Sequence, residues 1–259
     1  MSASGDDARV SVWCVPVLRR FSPDDAPAAS AVPFARPGET AEAALDRMRC
    51  LLSAEERAVA EGFESADRRR AYIAAHALLR VVLGHYAGVA PNELVFRYGR
   101  RGKPELASPE RDLQFNMSHS RDMVLVAVAR GRRVGVDIEH IDEPGDVRRI
   151  AARFLSPRDR DAIDQLPADR QRDAFLRCWT RKEAYMKARG DGISRPLDDF
   201  DVTVSDDAAR ARLRTAGNPN ESDAWELADV AAPRGFMAAI AVEGHGCEVV
   251  QHDDWPHLN

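Results

Sequence analysis

Apolar residues recur along this chain with two different periods, and the places where one gives way to the other divide it into elements. Residues 10–18 (VSVWCVPVL) are almost continuously apolar and β-rich, which predicts a buried strand. Over residues 22–45 the pattern lapses into Pro, Ala and small polar residues, which predicts a surface insertion. Order returns at Leu52, Ser53 and Glu56, an apolar residue ahead of a capping box, so a helix should begin near Ala54. Between about residues 66 and 86, Ala74, Ala77, Leu78, Val81 and Val82 recur at steps of three and four and form one helical stripe. Strand patterns follow at 94–98, 113–117 and 123–129, with a glycine-rich turn over 99–104.

The same order then repeats. Leu155, Ser156 and Asp159, with Pro157 at the first helical position, mark another capped helix. A long helix over 169–189 stops at Gly190 and Gly192, Pro196 precedes a strand at 200–204, and two more strands are expected at 225–230 and 235–242. This repetition predicts an α+β fold of two similar halves in a pseudo-twofold arrangement, each a small, mainly antiparallel sheet packed with a long helix. The halves would span 1–130 and 131–259, join near 130–135, and hold a ligand in the cleft between them.

At 259 residues the chain can bury a full core, and 44% apolar with 31% charged residues is a globular mixture. A formal charge of -5 gives no basic field for a nucleic-acid backbone, so nucleic acid is not an expected partner. No apolar run approaches the roughly 18 residues of a membrane span, and MSASGDDARV has no signal-like apolar segment. A soluble, cytoplasmic, monomeric protein without a membrane partner is expected. Cys14, Cys50, Cys178 and Cys247 are scattered, with neither zinc-ligand nor disulfide spacing, and read as buried free thiols.

One compositional feature sharpens the search. Of 37 basic residues only Lys103, Lys182 and Lys187 are lysines. Ordinary surface positions accept either cation, whereas a site needing a compact ammonium does not accept the planar arginine fork. The three survivors are thus candidates for specific contacts, against the alternative of chance retention.

In RVGVDIE, Asp137 and Glu139 share one face of a strand, about 7 Å apart along it. Two carboxylates so close repel unless a cation lies between them, and hard oxygens, with Gly135 leaving space, suit Mg²⁺; the alternative is a solvated strand face. In WTRKEAYMKAR, Glu183 and Lys187 share a helix face one turn beyond Trp179, either as an exposed ion pair or as a metal-binding carboxylate beside a phosphate-binding ammonium. FNMSHS places Asn116, Ser118 and His119 at a strand end, and Gly102, Lys103 and Pro104 form a turn. No P-loop, dinucleotide fingerprint, nucleophile elbow or zincin motif is present. The remaining reading is a Mg²⁺ enzyme acting on a phosphorylated small molecule.

Taken together, GKP, FNMSHS, VGVDIE, FLS and WTRKEAYMKARGDGI, in this order, resemble the motif series of the 4'-phosphopantetheinyl transferases, in the large two-halved Sfp-type group. The resemblance implies transfer of the phosphopantetheine arm of coenzyme A to a serine of an acyl or peptidyl carrier protein, with release of adenosine 3',5'-bisphosphate. It further implies that Asp137, Glu139 and Glu183 hold Mg²⁺, that Glu183 and Lys187 are catalytic, and that Glu183 deprotonates the serine or binds the metal or both. Coenzyme A would be bound by Lys103 and Pro104 on the adenine side, by Ser118 and His119 near the pyrophosphate and 3'-phosphate, and by Lys182. Arg57 and the run Arg68, Arg69 and Arg70 would supply the basic residues that the family brings from the first two helices, while Arg80 is as readily a structural salt-bridge residue. The alternatives are another Mg²⁺-dependent phosphate enzyme, such as a hydrolase, and a noncatalytic carrier- or coenzyme-binding module.

Overall fold

The computed structural model describes residues 9–17, 36, 39–99, 101–107, 112–142, 145–190, 195–205, 211–215 and 218–252. The chain opens with strand β1 (Arg9–Pro16), followed by helices α1 (Ala41–Arg49), α2 (Ala54–Glu61) and α3 (Ala66–Ala87). A short hairpin of β2 (Phe96–Tyr98) and β3 (Pro104–Leu106) leads to the longer hairpin of β4 (Leu113–Ser120) and β5 (Met123–Arg130). The stripe read from the sequence is the buried face of α3, where Ala74, Ala77, Leu78 and Val82 join Phe115, Val124, Val126 and Val128 in one core.

The expected surface insertion over 22–45 needs correction at its end. Its earlier residues lie mostly outside those described, but Ala41 to Leu45 begin α1, and Ala44 and Met48, one turn apart, are buried against the α3 core. Thr40 caps this helix by accepting from the amide of Ala43. Arg80 is structural: it is buried, donates to Glu56 Oε2 at 2.6 Å, and closes the carbonyls of Pro91 and Leu94.

The second half begins with β6 (Val134–His140), helices α4 (Val147–Phe154) and α5 (Pro157–Asp164), and the long helix α6 (Ala168–Arg189). Strands β7 (Phe200–Val202) and β8 (Leu213–Thr215) form a small hairpin beside the short helix α7 (Pro219–Ser222). Then come β9 (Trp225–Val230), β10 (Phe236–Glu243) and β11 (Glu248–His252). Two sheets dominate, with strand orders β11-β1-β5-β4 and β6-β10-β9, and every pairing in them is antiparallel except β11 on β1. A division at residue 130 assigns β11 to the second half, whereas the strand hydrogen-bonds into the first sheet, where His252 stacks on Trp13 at 4.6 Å between ring centres.

Gly135 sets the spacing of the second half. A Cβ there would lie 2.2 Å from the Ala184 carbonyl oxygen and 2.2 Å from the Ala188 amide nitrogen, so only glycine lets α6 settle onto β6 this closely. The room it leaves is filled by helix backbone and not by a metal, which corrects the sequence reading. Among the described residues none of the four cysteines is in a disulfide, and Cys50, expected inside, is exposed at the end of α1. No described helix is long and apolar enough to cross a membrane.

Candidate functional site

Strands β4 and β6 run side by side where the two sheets meet, but side chains rather than a backbone ladder join them. Alternate residues of β4 face the seam. Asn116 Oδ1 accepts from the Val136 amide at 2.9 Å, Ser118 Oγ donates to Asp137 Oδ1 at 2.9 Å, and Ser120 Oγ donates to Glu139 Oε2 at 3.2 Å while accepting from the His140 amide at 3.1 Å. The strand period of two brings this about, because it puts Asn116, Ser118 and Ser120 on one edge and Asp137 and Glu139 on the edge opposite.

Lys187 reaches the middle of the seam from α6. Its ammonium lies 2.6 Å from Asp137 Oδ1 and donates to Ser118 Oγ at 2.9 Å. Asp137 is only 3% exposed, and its second oxygen, Oδ2, is buried with no hydrogen-bond partner among the described residues. Burial pushes this carboxyl above the usual range, opposed by Lys187 and by its hydrogen bonds. The Glu183 carboxyl, one turn before Lys187, is also raised, first by burial and then by the negative charge of Asp137, with Lys187 opposing. Glu183 makes no ion pair with Lys187 among the described residues, so the exposed-pair alternative for these two fails.

Two cavities flank this knot. One of about 630 Å³ is lined by Gly102, Lys103, Pro104, Asn116, Glu183 and Lys187 on the seam side, and by Arg153, Trp179 and Arg195 farther out. The other, about 560 Å³, lies between α3 and the β4–β5 hairpin and is lined by Arg68, Tyr72, His76, His119, Ser120 and Glu139. Burial holds the His119 ring below the usual imidazole range, the charge of Lys187 lowers it further, and Asp137 opposes. Lys103, Arg153, Lys187 and Arg195 give the first space a mainly cationic lining, while the second mixes Arg68 and Arg121 with Asp67, Asp122 and Glu139.

The sequence as a whole matches known proteins in keeping with this arrangement. The family model described as the 4'-phosphopantetheinyl transferase superfamily covers residues 133–241, and one described as the 4'-phosphopantetheinyl transferase N-terminal region covers 39–130. The 4'-phosphopantetheinyl transferase HetI of Nostoc sp. is 36% identical over 212 residues, which cover 81% of this chain and 86% of that protein. The 4'-phosphopantetheinyl transferase of Bacillus subtilis is 33% identical over 162 residues, covering 62% of this chain and 70% of the relative. The chain belongs to the 4'-phosphopantetheinyl transferases.

For this transferase the structure gathers some expected site residues and separates others. Ser118, Asp137 and Lys187 meet, Glu183 lies beside them, and Lys103 and Pro104 line the same cavity as Glu183. Glu139 instead follows Ser120 to the His119 side. Among the described residues no three His, Cys, Asp or Glu side chains gather closely enough to hold one metal ion. The donor chemistry nevertheless fits Mg²⁺, because Asp137 Oδ2 is buried without a hydrogen-bond partner among the described residues and the neighbouring carboxylate of Glu183 is a hard oxygen donor of the kind Mg²⁺ takes.

Lys182 does not face this site. It is fully buried, pairs with Asp159 at 2.6 Å, donates to the carbonyls of Leu197 and Phe200, and lies over the Phe200 ring. Arg57 turns back to the Leu52 carbonyl at 2.5 Å, and Arg70 pairs with Asp67 on the surface, and neither lines either of these two cavities; of the run that holds Arg70, Arg68 does. Sequence reasoning passed over Ser120 and His76. Ser120 could have been found from the alternation in FNMSHS, and His76 from its place one turn after Tyr72, on which it stacks.

Proposed function

We propose that this transferase moves the 4'-phosphopantetheine arm of coenzyme A to a serine hydroxyl of a carrier protein, using the seam between β4 and β6 as its reaction centre. The observation that carries the reading is the meeting of Lys187, Ser118 and Asp137, a cation, a hydroxyl and a carboxylate held at one buried point between two cavities. The serine oxygen bonds to the pantetheine-side phosphorus, the P–O bond of the pyrophosphate breaks, and adenosine 3',5'-bisphosphate leaves. The serine proton passes to the Glu183 carboxylate, whose raised proton affinity suits a base. Lys187 compensates charge on the departing phosphate. Lys103, Pro104 and Ser118 bind the nucleotide and pyrophosphate, and His119, with Arg68 across its cavity, receives the 3'-phosphate. Mg²⁺, held by Asp137, Glu183 and a Glu139 released from Ser120, would supply charge neutralisation on the pyrophosphate. One chain provides both edges of the seam, so a monomer suffices.

Mass spectrometry of an apo carrier protein incubated with coenzyme A, Mg²⁺ and the transferase should show the phosphopantetheine adduct. Release of phosphopantetheine without a carrier would replace the transferase reading with a hydrolase. Full turnover in excess EDTA would remove the metal.

A further inference from the structure

The turn between β4 and β5 is built from an unexpected residue. Ser120 pairs with Met123, so the hairpin closes through two residues, Arg121 and Asp122. Arg121 has φ 51°, and among the described residues it is the one non-glycine in the left-handed region. The first central position of such a two-residue turn is where glycine normally stands, because a side chain there crowds the backbone. Seven described glycines adopt positive φ elsewhere, so the chain uses glycine freely where a turn requires it.

What the arginine gains lies across the seam. Its Nη2 donates to the Asp142 carbonyl oxygen at 3.0 Å, and Nη1 lies 3.0 Å from His140 Nε2. An imidazole accepts at only one nitrogen, and Nδ1 of His140 already faces the Asp142 amide at 3.0 Å, so the Asp142 carbonyl is the firm anchor. The His140 ring is itself fixed edge-on to Phe236 of β10. Arg121 thus ties the tip of the first-half hairpin to the end of β6, directly after Glu139. The residues just before it, His119 and Ser120, share a cavity wall with Arg121 and Glu139.

We propose that Arg121 is a positioning residue that latches the β4–β5 hairpin to the end of β6, and that this latch holds β4 against β6, and with it Ser118 against Asp137, for phosphopantetheine transfer. The inference rests on the reading given under Proposed function. A glycine would make the better turn and lose the latch.

Arg121→Gly and Arg121→Asn both suit a positive φ and both lack the guanidinium. In the ligand-free protein, each should raise amide hydrogen exchange over residues 139–142 without lowering the thermal midpoint. In transfer assays each should lower kcat about tenfold, the scale expected when reacting groups lose fixed geometry. KM should change little, and the loss should be the same with coenzyme A and dephospho-coenzyme A. Arg121→Lys, which keeps one donor, should fall between. Unchanged exchange would show that there is no latch, and unchanged kcat that the latch positions nothing. A loss with coenzyme A alone would replace the latch with a direct 3'-phosphate contact. Exchange is measured without turnover, so a wild-type protein that modifies no carrier would overturn the function while the exchange result still decides whether Arg121 holds the hairpin.

Discussion

Lys103 shows how one ammonium can serve an element's end and a cavity at once. Its Nζ donates to the carbonyls of Val134 at 3.2 Å and Ala188 at 3.0 Å, and Ala188 is among the last residues of α6, where helix carbonyls lack partners. Burial, with the charge of Arg133, lowers its pKa from 10.5 to about 8, against the pull of Glu105 and Glu243. Because the folded value is the lower one, the ammonium is charged in both states below pH 8, and between about 8 and 10.5 the unfolded chain binds more protons. The contribution of Lys103 to stability therefore rises with pH across that window. Thermal midpoints measured from pH 7 upward should rise more, or fall less, in the wild type than in Lys103→Met; parallel curves would deny the buried charge. A second residue-scale outcome concerns Lys187. Lys187→Arg keeps the charge but cannot place one compact donor group between Asp137 Oδ1 and Ser118 Oγ, so the transfer rate should drop about tenfold or more. Wild-type rates in that variant would make Lys187 an ordinary helix-face cation. The scarcity of lysine marked all three positions as candidates for specific contacts, yet it could not say why each was kept. One sits in the seam, one at a helix end and one in the core, and only packing separates these cases.

At the level of elements, the approach of α6 to β6 controls where Asp137 meets Lys187. Gly135→Ala would drive a methyl group into the helix backbone, which cannot yield as a side chain does, and should cost about 3 kcal/mol. Urea unfolding of the variant measures this, and an unchanged midpoint would mean that the helix has room to move. Lys182→Met leaves Asp159 buried without its cation and should cost at least about 3 kcal/mol while the KM for coenzyme A stays unchanged. A raised KM in a stable variant would return Lys182 to the ligand site. Strong periodicity made α3, α6 and β9 legible nearly to the residue, because each buries a continuous face. Helix α4 went unread although Val147, Ile150, Ala151 and Phe154 are spaced at helical steps and Asp146 caps it, since it is only two turns long. Strands β3 and β8, three residues each, carry too few side chains for any period to show. In the site, types and spacing pointed to Asp137, Glu183 and Lys187, but the separation of Glu139 from them depends on Ser120, a partner on a different strand.

For the molecule as a whole, two long helices of 22 residues each match the doubled order seen in the sequence, while the sheets differ, with four strands against three. The difference is β11, whose parallel pairing with β1 no local pattern could announce, because its partner lies at the other end of the described chain. Deleting residues 247–259 should lower the thermal midpoint, accelerate exchange along β1, and expose the edge at which Trp13 now stacks on His252. An unaltered midpoint would make β11 an ornament of the edge. The same pairing also bears on the order in which the protein can be made. On the ribosome β1 emerges well before β11, so the first sheet cannot be completed until every element from α4 to β10 has left the exit tunnel. Until then one edge of β1, with Val10 and Val12 destined for full burial, stands open to other nascent chains. A ribosome-bound intermediate halted after β10 should thus bind holdase chaperones more strongly than the released, full-length chain.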